Sequence, residues 1–240
     1  MKRILFAGAL MLAATGSTLA ADLPPSMPPP PPPPRAPAYV PVITPQYNWG
    51  GIYVGINGGY GFGNSAWSSA TTGTSTGNFN INGPVVGGTL GANFQSGAFV
   101  FGIEGDGDWS NIKGSASATN AICPSCQTAN TWLATLRARA GVAWDRVLVF
   151  GTAGGAAGTI NTSGAGITSG TNTEFGWTAG AGLEFAITDN ITAKVEYLYV
   201  DLQNGSWTCP AASCGTAITG NASFDTSLVR AGLNLKFNPF

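Results

Sequence analysis

Residues 176–200 read GWTAGAGLEFAITDNITAKVEYLYV. Stepping by two on either side of Thr188-Asp189-Asn190 gives one apolar set: Trp177, Ala179, Ala181, Leu183, Phe185, Ile187, then Ile191, Ala193, Val195, Tyr197, Tyr199. The interleaved positions are Thr178, Gly180, Gly182, Glu184 and Ala186, then Thr192, Lys194 and Glu196. Period-two alternation about a short polar break predicts a β-hairpin. Each arm runs about ten residues, close to the ~9–11 that cross a bilayer as a tilted strand. A greasy face backed by charges and glycines suits a wall with lipid outside and a packed polar interior.

The same pattern recurs along the chain. Strands are expected over Gly51–Phe62, Val85–Gln95, Ala98–Trp109, Trp132–Trp144, Val147–Gly158 and Ser227–Phe237, which with the quoted hairpin makes eight. Faces are clear in all but Val147–Gly158, where alternation is weakest. Short connections near residues 96, 145 and 189 alternate with long ones at about 64–82, 111–131, 159–173 and 203–222. Loops that long are uncommon in compact soluble domains. Short turns at one end and long loops at the other predict an all-β fold, an eight-stranded antiparallel up-and-down transmembrane β-barrel with periplasmic turns and chain ends. The aromatics sort to two levels. Phe94, Phe99, Trp144, Phe185 and Phe237 fall at the turn end; Tyr60, Phe62, Trp109, Trp132, Trp177, Tyr197 and Tyr199 fall at the loop end, as two membrane interfaces select.

Three segments are expected. Residues 1–20 have Lys2 and Arg3, an apolar run and Thr18-Leu19-Ala20, the layout of a secretory signal peptide. Residues 21–47 are a Pro-rich periplasmic segment: twelve of the sixteen prolines lie between Pro24 and Pro45, extended and without a core of their own. Residues 48–240 form the barrel. Charged residues are 9% of the chain and the net charge is −1, which offers nucleic acid no basic face. Histidine is absent, which removes His-dependent triads and His-ligated metal sites. No catalytic, cofactor-binding or metal residue is assigned, and the chain is read as a non-enzyme.

The inward charges form the candidate site. Glu104, Asp106, Asp108, Glu184 and Glu196 face Arg137, Arg139, Lys194, Arg230 and Lys236, five acids against five bases. An eight-stranded barrel is just wide enough to be filled by side chains. The balance of signs therefore favours a salt-bridged plug over a charge-selective lumen, with Glu104 near Arg137 or Arg139. Glycines such as Gly58, Gly59 and Gly61 make room for bulky inward neighbours. Cys123, Cys126, Cys209 and Cys214 lie in two long loops and are expected as disulfides in an oxidising compartment. Their spacing favours Cys123–Cys126 and Cys209–Cys214 over a bridge between the loops.

Five stretches then carry a resemblance: NWGGIYVGINGGYGFG at 48–63, FGIEGDGDWS at 101–110, LRARAGVAWDRVLVFGTAGGAAG at 136–158, GWTAGAGLEFAITDNITAKVEYLYVDL at 176–202 and VRAGLNLKF at 229–237. Together they resemble the small outer-membrane porin-family proteins of alphaproteobacteria, the rhizobial and brucella-type surface antigens, related in architecture to the OmpA transmembrane domain. The resemblance implies an outer-membrane location, lipid and lipopolysaccharide as surroundings, and recognition by the barrel-assembly machinery through a terminal aromatic, Phe237 or Phe240. It also implies a structural, surface-exposed role supporting envelope integrity and external contacts through four long loops. A small diffusion pore is the alternative the word porin carries; a haemin-binding or other ligand-binding surface protein is a third reading.

Overall fold

The computed structural model describes residues 46–69, 71, 73, 75–116, 126–164, 170–211 and 217–237. The chain divides into two units, 1–43 and 44–240. The expected signal peptide, nearly all of the proline segment, Cys123, Cys214 and residues 238–240 lie outside the described residues.

Eight strands follow one another: β1 Gly51–Ser69, β2 Ser75–Ser96, β3 Phe99–Ala116, β4 Cys126–Trp144, β5 Val147–Gly164, β6 Gly170–Ala186, β7 Ile191–Cys209 and β8 Ile218–Phe237. Each pairs antiparallel with its sequence neighbours, and β1 pairs with β8 from Ile52↔Phe237 to Ser69↔Gly220, closing the ring. Closure leaves no sheet edge whose backbone groups would go unpaired in lipid. The hairpin expected at 176–200 forms, and its register sets Glu184 opposite Lys194 and Gly182 opposite Glu196.

The strands are longer than alternation predicts. They run 17 to 22 residues, so much of what sequence reading assigned to long loops is sheet. The physical reason is an inversion of polarity. Up to the loop-end aromatics, apolar side chains point outward: Val54, Ile56, Leu90, Ile103, Leu136, Leu183 and Leu233 are all exposed on the wall. Beyond them, Asn64, Asn78, Asn80, Asn82 and Asn111 point outward, while Ile81, Ile112, Leu133, Ile160, Leu202 and Phe224 point inward. Period two continues, but the outer solvent changes from lipid to water, and the greasy face changes sides with it. A register shift between Asn130 and Leu133 helps β4 through this transition. Thr131 and Trp132 are both exposed there, and Cys126, Thr128 and Asn130 come to face inward. β5, whose faces sequence reading left open, turns Leu148, Phe150, Thr152 and Ala156 inside.

Candidate functional site: the filled interior

The inward side chains stack in layers. In the middle lies a network of charges. Arg137, opposite Glu104 in the β3–β4 register, donates to Glu104 Oε1 and Asp106 Oδ2 at 2.6 Å each and to Glu196 Oε2 at 3.0 Å. Arg230, opposite Glu196 in the β7–β8 register, reaches Glu196 Oε1 at 2.9 Å, Asp106 Oδ1 at 2.8 Å and the Asp108 carboxylate. Arg139 donates to Glu184 Oε2 at 2.7 Å and lies over the Phe150 ring, 4.1 Å from its centroid. Lys194 holds both oxygens of Glu104 at 2.9 Å. These nine residues are all buried. Four neutral side chains complete the network. Tyr53 donates to Glu104 Oε2 at 2.7 Å and accepts from Arg139 at 2.8 Å. Thr135 donates to Asp106 at 2.7 Å, while Thr192 and Asn234 both donate to Glu184 Oε1.

The tenth expected member stands apart. Lys236 is buried at the turn end, where its Nζ donates to the Asn48 carbonyl and sits 4.1 Å from the Tyr47 ring centroid. It lies at the end of β8, opposite Tyr53. It therefore forms no ion pair with the nine, and five carboxylates meet four cations in the middle layer.

Toward the loop end the network is covered by an apolar layer of Ile81, Val85, Ile112, Leu133, Leu198, Val200, Phe224 and Leu228, with further small and branched neighbours. Above it Trp67, fully buried, packs with Cys126, Cys209 and Ala222, and its indole N–H donates to Thr128 at 2.9 Å. Cys126 and Cys209 are both disulfide-bonded, and Cys123 and Cys214 lie outside the described residues. At the turn end Tyr47, Trp49, Val100, Ala143, Leu148, Phe150 and Ala186 form a second apolar layer. Burial pushes the Tyr47 phenol up to about 12, with the charges of Glu184 and Asp189 acting in the same direction and Arg146 against them.

Sequence reasoning assigned the charges but missed much of the filling. Tyr53 was legible, since it holds the inward parity between Ile52 and Val54. The loop-end apolar layer was hidden by the change of solvent. Tyr47 and Trp49 precede any alternation, so nothing in the period marks them. Glycines do make room at specific places: a Cβ on Gly61 would stand 2.4 Å from Ile112 Cδ1, and one on Gly91 would stand 2.3 Å from Tyr53 Cζ.

A closed ring of antiparallel strands with an apolar outer wall is the architecture of an outer-membrane barrel. Residues 34–237 match the outer membrane protein beta-barrel domain. The chain belongs to that family. It is an outer-membrane protein, and among its relatives is the 31 kDa outer-membrane immunogenic protein of Brucella melitensis, 37% identical over 65% of this chain and 67% of that one. The 22 kDa outer membrane protein of Rhizobium leguminosarum bv. viciae is 31% identical over 61% of this chain and 63% of its own. The crystal structure of the outer membrane protein OprG from Pseudomonas aeruginosa shares the fold at 12% identity, with a TM-score of 0.51, covering 79% of this chain and 97% of OprG.

Proposed function

We propose that this family member is a closed structural barrel that supports the integrity of the outer membrane and presents its loops to the surroundings, rather than a pore. The observation that carries this reading is the interior. A solute crossing the barrel would have to displace the Tyr47–Trp49 layer, break the Arg137 and Arg230 ion pairs, and part the Leu198–Phe224 layer. Removing one partner from a buried ion pair costs about 3–5 kcal/mol, so thermal opening of the middle layer is rare. In this reading the ten inward charges of the sequence act as plug and, for Lys236, as mouth clasp. The turns and chain ends face the periplasm, after residues 1–20 have directed export.

Lipid and lipopolysaccharide surround the aromatic girdles, and β8 with its terminal aromatics is what the barrel-assembly machinery reads. The immunogenic naming of the Brucella relative supports exposure of the loop end. The carboxylates sit against guanidinium groups rather than in an open cleft, which gives general acid–base work no foothold. For haemin, with histidine absent, an axial ligand would have to be a residue such as tyrosine, and two wall tyrosines are already engaged: Tyr60 donates to Asn82 Oδ1 at 2.9 Å, and Tyr199 packs on Trp177 with ring centroids 5.4 Å apart.

Planar-bilayer recording of the refolded protein tests the proposal, after a gel has shown the boiling-dependent band shift of a folded barrel. The expected record has no stable conductance steps. Stable, sizeable steps from the folded band would overturn the closed reading in favour of a diffusion pore.

A further inference from the structure

Residues 46–50 belong to no strand, yet Tyr47 and Trp49 are buried across the turn-end mouth. Their bonds reach two of the three turns at that end and the last residues of β2. The Trp49 backbone N–H donates to Gln95 Oε1 at 2.6 Å, at the end of β2. The Trp49 indole N–H donates to the Asp145 carbonyl at 3.0 Å and the Tyr47 backbone N–H to Asp145 Oδ1 at 3.3 Å, both in the β4–β5 turn. The Tyr47 hydroxyl donates to the Asp189 carbonyl at 3.3 Å, in the β6–β7 turn. Lys236, on the last turn-end stretch of β8, donates to the Asn48 carbonyl.

Asp145 serves this arrangement at a conformational cost. Its φ is +49°, and it is the one non-glycine residue with positive φ among the described residues. Non-glycine residues seldom adopt that region, although Asp tolerates it better than most. The turn so shaped offers the side-chain oxygen and the backbone carbonyl of one residue to the same short segment. The β1–β8 pair is the junction that needs such help. Every other neighbouring pair is joined by a hairpin connection, whereas β1 and β8 are the two ends of the strand order and meet through the ladder alone.

We infer that Tyr47–Trp49 is a strap that locks the closing seam between β1 and β8 by tying the entry of β1 to the β4–β5 and β6–β7 turns and to the ends of β2 and β8. With the strap in place, the first seam pair, Ile52↔Phe237, cannot separate without also breaking bonds to Asp145, Asp189 and Lys236. Without it, that pair becomes the frayed end of a ladder, and local opening begins there. The inference concerns closure of the ring and stands whether or not the barrel conducts.

Amide hydrogen exchange on the folded protein in detergent or vesicles tests it, comparing seam amides (Ile52, Val54, Leu235, Phe237) with hairpin amides (Val142, Val149). Trp49→Ala should speed seam exchange by about tenfold or more while the hairpin changes little, as expected for loss of a local lock rather than of global stability. Trp49→Phe, which keeps a ring but loses the indole donor, should fall between. Asp145→Asn, which keeps both acceptors and tolerates positive φ, should match the wild type. Where Trp49→Ala does not fold, Lys236→Met is read in the same way, since it keeps the apolar stem and drops the bond to Asn48. Equal acceleration of seam and hairpin amides, or no acceleration at either, would overturn the strap.

Discussion

Arg137 shows what a single residue does in this interior. Its guanidinium pairs with Glu104, Asp106 and Glu196 at once, with all four side chains shielded from water. Arg137→Met keeps much of the volume but removes one of the four cations that five buried carboxylates share, leaving Glu104 to Lys194 and both Asp106 and Glu196 to Arg230. The variant should therefore lose about 3–5 kcal/mol of unfolding free energy. Guanidinium unfolding in lipid vesicles measures the loss; a change below about 1 kcal/mol would mean that the network contributes little. Gly91 is the complementary case. A methyl group there would meet the Tyr53 ring and hydroxyl, and the ring cannot yield without releasing Glu104 and Arg139. Gly91→Ala should therefore destabilise by about 1–3 kcal/mol, the usual cost of overpacking. The charges were legible from parity and sign alone. Their partners were not, because pairing across the barrel depends on stagger and tilt, which bring β3 and β7 side chains together although the two strands are not neighbours.

A strand of this barrel has two environments along one length. On β4, Leu136 lies mid-wall and is 69% exposed to what must be hydrocarbon. On β3, Asn111 is exposed beyond the aromatic Trp109. Leu136→Arg should cost about 2–4 kcal/mol, as a cation does at the midplane of a barrel wall. Asn111→Arg, beyond the girdle, should stay within about 0.5 kcal/mol, as for an ordinary surface change. Equilibrium unfolding of both variants in the same vesicles checks the contrast; equal costs would place the two positions in one solvent and contradict the wall assignment. Strand number, order and turn positions were all legible from alternation. Strand length was not. Alternation scored as greasy outward stops at Phe62, Trp109 and Trp177, whereas the ladder continues beyond them because its inward face has taken over the apolar residues.

At the scale of the molecule, closure and blockage are separate properties. The strap holds one end, while the ion-pair layer and the Leu198–Phe224 layer fill the rest. Trp49→Ala should accordingly leave single-channel recordings silent even where it loosens the seam, since two of the three obstructions remain. Conductance appearing in that variant alone would show that the mouth layer, and not the middle, is the barrier. The five-to-four balance of carboxylates and cations was also beyond sequence reasoning. Counting inward residues gave equality, and only the position of Lys236 at the mouth removed one cation from the middle.

The sequence by itself determined that this is an antiparallel ring of eight strands with lipid outside, because period two and turn chemistry are local properties and solvent polarity is written on every second residue. It also determined which charges point inward. Tertiary structure decided how far the strands run past the membrane, which acid each base holds, that the interior is capped by apolar layers, and that residues before β1 fold under the mouth. Those outcomes depend on which side chains meet across a closed, tilted cylinder. That geometry exists only once β1 has found β8.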